Sequence, residues 1–241
     1  ILAEAGLETI VLSDHGPPPR DELEAAVAGA VALVSLLNDP VDGALLDAAG
    51  PSLRVVANYA VGTNNIDIDA ATARGIAVAN TPGVLTDASA ELAFALVLAA
   101  ARRVCEGDRL VRAGGFDGWS PFLMQGMLLR GKVFGVVGAG RIGRATARMA
   151  AALGMSIVYT GRKPRPAFDD ELGARHATLD DLLTEADVVS LHVPLTPGTR
   201  HLIGADQLRR MKPGAILVNT ARGPIVDEAA LIWALISGLK V

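Results

Sequence analysis

Three glycines and one arginine carry the most pointed chemistry in this sequence. Gly138, Gly140 and Gly143 stand at G-x-G-x-x-G spacing within GKVFGVVGAGRIG, residues 131–143. So spaced, the first glycine permits a tight turn, the second lets bare backbone approach a pyrophosphate, and the third packs a helix closely on a strand. The spacing reads as a dinucleotide-binding fingerprint when a strand precedes it and a helix follows. Lys132–Val137 is a short apolar run of strand type, and Ala145–Leu153 reads as a helix. The helix's first-turn amides and the positive end of its dipole would face the phosphates. A glycine-rich turn with no ligand is the plainer alternative. Arg222, in the run NTARGP, keeps its charge at any working pH and offers a planar fork suited to a carboxylate. Its plainer alternative is a structural ion pair.

The elements around these residues alternate. In the first part of the chain, strands are expected at Thr9–Leu12, Ala32–Leu36, Arg54–Asn58 and Ile76–Ala79. Helices are expected at Ile1–Ala5, Asp21–Ala28, Asp42–Ala49 and Asp67–Ala73. Thr86–Ala113 reads as one long helix, a strut capped by Asp87 and stopped by Gly114-Gly115. Phe116–Leu129 is an aromatic, Met-bearing loop. Further strands follow at Lys132–Val137, Ser156–Thr160, Val188–Leu191 and Ala215–Asn219, with a last helix at Leu231–Ile236 ended by Gly238 and a strand beginning at Lys240-Val241. Alternating strands and helices imply parallel sheets. The predicted fold is α/β: two doubly wound parallel-sheet units, about 1–85 and 86–241, with a cleft between them.

In such sheets ligands bind outside the carboxyl ends of the strands. Five glycine-bearing or polar loops fall there: 60–62, 138–143, 161–165, 192–194 and 220–222. Val61 and Gly62 would offer backbone amides as a second carboxylate clamp. The loop at 161–165 bears on the cofactor. An NAD site usually places an acid about twenty residues past the glycines, on the ribose 2′-hydroxyl. Here Thr160 and Gly161 occupy that region, and Arg162, Lys163 and Arg165 follow. These cations would attract a 2′-phosphate, so NADPH is the expected cofactor and NADH a possible one. A solvated basic turn is the alternative.

The bulk numbers exclude other classes. With 51% apolar and 20% charged residues in 241, the chain can bury a core. A net charge of −4 without a basic block argues against nucleic acid as a partner. The single cysteine, Cys105, excludes an internal disulfide and a cysteine-based metal cage, and its Ala/Leu-rich surroundings predict a buried core residue. The longest apolar run, Ala93–Ala101, is too short to span a bilayer, so no membrane partner is expected and a cytoplasmic setting fits.

Taken together, these runs resemble the D-2-hydroxyacid dehydrogenases, most closely the NADPH-preferring glyoxylate/hydroxypyruvate reductases. The matching runs are AVGTNNIDID at Ala60–Asp69, NTPGVLTDASAELA at Asn80–Ala93, GKVFGVVGAGRIGRA at Gly131–Ala145, YTGRKPRP at Tyr159–Pro166 and VNTARGPIVDEAAL at Val218–Leu231. The resemblance implies a flavodoxin-like substrate domain and a Rossmann-type cofactor domain. Hydride would pass from NAD(P)H to the 2-keto carbon of glyoxylate or hydroxypyruvate. Val61 and Gly62 would hold the substrate carboxylate, and Arg222 would be the catalytic arginine, on the carboxylate and the keto oxygen. Thr86 would lie near the nicotinamide. Gly140, Arg141 and Ile142 would cover the pyrophosphate, and Arg162, Lys163 and Arg165 would surround the 2′-phosphate. Pro194, Thr220 and Ala221 would line the cofactor site. A homodimer would form where the loop with Trp119 and Phe122 lies.

The sequence departs from the family in one respect. The family's proton donor is a histidine paired with a glutamate, and both lie C-terminal to the Arg222 motif, beyond residue 241. Of the histidines present, His192 would wall the cofactor site, His201 falls in the following loop, and His15 and His176 match no catalytic motif. The expectation is a piece of an ordinary enzyme, truncated at both ends and poorly active alone. A 3-phosphoglycerate dehydrogenase-like enzyme and a non-catalytic, corepressor-like nucleotide sensor are the alternatives.

Overall fold

The computed structural model describes residues 4–12 and 16–236. Two compact units divide the chain, Ile1–Val84 and Leu85–Val241. In the first, α1 (Arg20–Val27), β1 (Ala32–Ser35), α2 (Gly43–Ala49), β2 (Val55–Asn58), α3 (Ile68–Ala73) and β3 (Ala77–Ala79) follow in order. Their strands form a parallel sheet in the order β1-β2-β3. Leu33, Val56 and Val78 stand in register across it and meet Leu23 and Val27 of α1, Leu45 and Leu46 of α2, and Ala71 of α3. The helices start where aspartates cap them. Asp42 accepts from the Leu45 N–H and Asp67 from the Ala70 N–H, each satisfying an otherwise orphan first-turn amide.

The second unit opens with α4 (Thr86–Ala101) and α5 (Val104–Arg112). Then come β4 (Val133–Val137), α6 (Arg141–Ala152), β5 (Ser156–Thr160), α7 (Pro166–Leu172), β6 (Arg175–His176), α8 (Leu179–Glu185), β7 (Val188–Leu191), α9 (Ala205–Arg210), β8 (Ile216–Asn219) and α10 (Glu228–Ile236). The sheet is fully parallel, in the order β6-β5-β4-β7-β8. Its direction of winding reverses between β4 and β7, which makes that gap the topological switch point. Both faces are covered. Phe134 and Val136 of β4 pack with Phe94 and Val97 of α4 and Ala147 and Ala150 of α6. Val137 and Leu191 pack on the other face with Leu182 and Leu183 of α8 and Leu208 of α9. Burial on two faces explains why these strands read as continuous apolar runs.

Several sequence expectations are corrected. Thr86–Ala113 is two helices, not one. Arg102 closes α4 and Arg103 takes a left-handed φ of 56°. The cause is a competing donor: the Met127 N–H bonds the Ala101 carbonyl at 2.7 Å, the acceptor that a continuing helix would give to residue 105. The N-cap of α4 is Leu85, and Asp87 sits in the first turn without capping it. Cys105 is exposed, because α5 buries none of its residues. Thr9–Leu12 forms no strand; Ile10 and Val11 have β-type side chains but their backbone pairs with no neighbour among the described residues, and both are exposed. The helix after the glycine loop starts at Arg141, earlier than Ala145, and the last helix starts at Glu228, earlier than Leu231. Within the stretch expected as helix Ile1–Ala5, residues 4–6 form a turn, while residues 1–3, like Gly238 and Lys240-Val241, lie outside the described residues. No helix among the described residues is long and apolar enough to cross a membrane.

Candidate active site

In the second unit the candidate residues gather at the carboxyl edge of the parallel sheet. β4 ends at Val137, and Gly138 turns the chain with a φ of 101°. A Cβ on Gly138 would lie 2.8 Å from Val193 Cγ1 and 2.9 Å from the His192 carbonyl carbon and oxygen. Here the β4 and β7 loops touch backbone to backbone. At Gly143 a Cβ would come within 2.3 Å of the Gly138 oxygen, so α6 meets the strand end as only glycine permits. Gly140 is the opposite case. It is the N-cap of α6, exposed, and its absent Cβ would face open space. No side chain caps this helix. The amides of Arg141, Ile142 and Gly143 therefore carry the helix's partial positive charge toward that space, which suits a pyrophosphate.

The basic loop follows β5. Tyr159 is fully buried, packs edge-to-face on Phe168 with ring centroids 5.2 Å apart, and accepts the Arg165 N–H at 2.6 Å. Burial raises the pKa of this phenol above its usual value, so it remains a neutral anchor. Arg162, Lys163 and Arg165 are all exposed. Lys163 and Arg165 line a groove of about 280 Å³ together with Arg144, which the sequence reading missed. The signal was its place four residues after Gly140, on the first turn of α6, where its Nε reaches the Gly140 carbonyl at 3.3 Å. Arg162 does not line this groove.

His192, Val193 and Pro194 follow β7 directly. His192 Nε2 lies 2.9 Å from Ser190 Oγ, and burial lowers its pKa to about 4. At neutral pH it holds no ring proton beyond the neutral form, so it has none to give as a general acid. Pro194 is exposed and its carbonyl accepts from Thr199 Oγ1 at 2.6 Å. After β8 come Thr220, Ala221 and Arg222, all half-buried. Asn219, the last strand residue, braces them from both sides. Its Oδ1 accepts the Ala221 N–H at 3.0 Å and its Nδ2 donates to the Arg222 carbonyl at 2.8 Å. Arg222 Nη1 in turn donates to the Ala221 carbonyl at 2.7 Å. Thr86, half-buried, is the first residue of α4. His201 is exposed, and His15 lies outside the described residues.

In the first unit, Val61 and Gly62 follow β2 and are half-buried. Their carbonyls are held by asparagines: Asn80 Nδ2 donates to Val61 at 2.8 Å, and Asn58 Nδ2 to Gly62 at 2.7 Å. Among the described residues no group of His, Cys, Asp and Glu could hold a metal ion.

The strand–glycine–helix unit, switch point and loop set together describe a nucleotide-binding α/β domain. The family model of the D-isomer specific 2-hydroxyacid dehydrogenase NAD-binding domain matches residues 94–239. The chain belongs to this dehydrogenase family. A glyoxylate reductase of Thermococcus litoralis is 50% identical to it over 241 residues, covering 98% of this chain and 72% of the relative. A glyoxylate reductase of Korarchaeum cryptofilum is 52% identical over 236 residues, covering 98% and 71%. The crystal structure of the TT0316 protein from Thermus thermophilus matches with a TM-score of 0.91 at 48% identity, covering 98% of this chain and 73% of that one. The dehydrogenase is thus an oxidoreductase that uses a nicotinamide dinucleotide on 2-keto and 2-hydroxy acids.

His192 makes the dehydrogenase's stability pH-dependent. Its folded pKa lies below the unfolded value, so neutral His192 contributes stability above about pH 6.5 that is lost as pH falls toward 4. His192→Asn, which retains a partner for Ser190, is expected to lose about 2 kcal/mol less than the unaltered chain between pH 7 and pH 5 in urea unfolding. Equal losses in both proteins would contradict the burial of a neutral imidazole.

Proposed function

We propose that this dehydrogenase is an NADPH-preferring glyoxylate reductase that also accepts hydroxypyruvate. The observation that carries the cofactor preference is the end of β5. Thr160 and Gly161 stand where a ribose-binding carboxylate would, and Arg162, Lys163 and Arg165 follow, with Arg144 beside two of them. A carboxylate there would repel a 2′-phosphate, whereas guanidinium groups bind one with paired, charge-assisted hydrogen bonds. The bare first turn of α6 and the open space over Gly140 fit the pyrophosphate between Arg141 and Ile142. The substrate class rests on relatives named glyoxylate reductase at 50% and 52% identity over nearly the whole chain.

In this reading Val61 and Gly62 bind the substrate carboxylate through their amides. Thr86, Pro194, Thr220 and Ala221 line the cofactor. When bound, the reduced nicotinamide supplies a hydride to C2. Arg222 holds the carboxylate and points its charge at the 2-keto oxygen, where negative charge grows as C2 is reduced. A guanidinium keeps its proton, so Arg222 stabilises the alkoxide that forms at that oxygen, and the proton that completes the hydroxyl comes from water. Asn219 fixes the Arg222 backbone before substrate arrives, so little reorganisation accompanies the reaction. Trp119 and Phe122, both more than four-fifths exposed, support a homodimer formed through the loop after α5. An exposed free Cys105 accords with a reducing, cytoplasmic setting.

Two variants test the assignment. Arg222→Ala is expected to lower kcat for glyoxylate by about 10²-fold or more while leaving the NADPH Kd unchanged; unchanged turnover would overturn its catalytic role. Arg162→Ala is expected to weaken NADPH several-fold and NADH hardly at all, read by fluorescence titration. Equal weakening of both would remove Arg162 from the 2′-phosphate.

A further inference from the structure

The basic loop is fastened at both ends by ring side chains that stand beside each other in the sheet. Tyr159 of β5 and His176 of β6 are register partners, with ring centroids 5.2 Å apart. Tyr159 holds the far end of the loop through the Arg165 N–H. His176 holds the near end, with its Nε2 3.2 Å from the Gly161 carbonyl oxygen. A carbonyl only accepts, so Nε2 is the donor and carries the ring proton. Between the two fastenings Arg162, Lys163 and Pro164 are exposed, and a Cβ on Gly161 would meet nothing within 4 Å. Packing does not fix the Gly161 peptide, which leaves the hydrogen bond from His176 to do so.

That bond stands in for one of the sheet's own. Carbonyls on one side of a strand recur every second residue. On the β6 side of β5 the Tyr159 carbonyl accepts the Ala177 N–H at 2.9 Å. The Gly161 carbonyl comes next on that side, and Leu179 would be its ladder donor. Leu179 instead opens α8, whose N-cap is Thr178. The two-residue strand β6 thus ends one donor too early, and the His176 imidazole supplies the missing N–H. On the opposite side of β5 the Thr160 carbonyl accepts the Gly138 N–H at 3.0 Å. The two peptides at the head of the basic loop are therefore held from both flanks, one by the glycine loop and one by β6.

We propose that His176 is a positioning residue that sets the preference for NADPH over NADH. It acts through the Gly161 peptide, keeping Arg162 and Lys163 on a loop already ordered for the 2′-phosphate, so that less freedom is lost on binding. NADH lacks that phosphate and gains nothing from the order of the loop. This rests on the proposed reading that residues 162–165 take the 2′-phosphate.

The test measures the Kd of NADPH and of NADH by fluorescence titration in two variants. His176→Phe keeps a ring against Tyr159 and removes the donor, whereas His176→Gln gives up the ring and returns an N–H near the Nε2 position. His176→Phe is expected to weaken NADPH about fivefold and NADH less than about twofold, since one net hydrogen bond is at stake. His176→Gln is expected to bind both nucleotides within about twofold of the unaltered chain. Heteronuclear NMR of the imidazole in the unaltered chain is expected to show its proton on Nε2. Equal weakening of both nucleotides in His176→Phe, a Gln variant as weak as the Phe variant, or a proton on Nδ1 overturns the role of His176. A His176→Phe chain that keeps the ratio of the two Kd values while Arg162→Ala lowers it also overturns that role, and leaves the 2′-phosphate reading standing. A ratio indifferent to both His176→Phe and Arg162→Ala overturns the two together.

Discussion

The nucleotide half of the molecule depends on one steric constraint, the closeness of α6 to the end of β4. A single methyl group at residue 143 would stand 2.3 Å from the Gly138 oxygen, far inside contact distance. Because nothing larger than hydrogen occupies that position, the helix begins directly over the strand end and its first amides converge there. A second close approach locks the next loop in place, since Gly138 lies against the backbone of His192. The glycine loop and the loop after β7 are thereby one interlocked surface, placed at the switch point of the sheet. Interior packing behind them makes the arrangement stiff. Phe134 and Val136 on one face and Val137 on the other are buried, so β4 cannot shift without opening cavities.

Packing alone does not orient the loops, which have little core of their own. Asparagine side chains perform that task in both units. Asn219 holds the chain on either side of Ala221, and Asn58 and Asn80 hold the carbonyls after β2. A side-chain amide both donates and accepts, so one residue can fix two neighbouring peptides. Each such bond contributes only about 1 kcal/mol net to stability. The functional consequence is larger than the energetic one, because the direction in which a backbone N–H points decides whether an anion finds a donor. Tyr159 serves the basic loop in the same way, with its buried hydroxyl accepting the Arg165 N–H.

Features governed by local rules were legible in the sequence. The glycine spacing requires a particular steric environment, and Gly138, Gly140 and Gly143 each meet a different part of it. β4, β5, β7 and β8 were legible as apolar runs because they are covered on two faces, and the loops bearing Arg162, Pro194 and Arg222 followed from where those runs end. Features set by distant partners were not. An Ala-rich run from Thr86 gives no hint of a break at Arg103, because the break is imposed by Met127, more than twenty residues away in sequence. Cys105 looked buried for the same reason, with the face of a continuous helix assumed where a second helix stands exposed. Thr9–Leu12 had the residue types of a strand, yet a strand exists only when another backbone pairs with it. Arg144 was hidden because its role depends on which side of α6 faces the basic loop, which its place four residues after Gly140 hints at and does not fix.

Whether the loops along the carboxyl edge hold a reduced nicotinamide and a 2-keto acid for hydride transfer is decided by the fate of the transferred hydrogen. The chain, at high concentration, would be incubated with NADPH carrying deuterium at both C4 positions and with unlabelled glyoxylate, and the product examined by mass spectrometry. Hydride transfer at this site gives glycolate bearing one deuterium on C2, formed at any measurable rate and about 10²-fold or more slowly by the Arg222→Ala chain. Tight NADPH binding with no labelled product at all would contradict it, and would leave a protein that senses the nucleotide without using it.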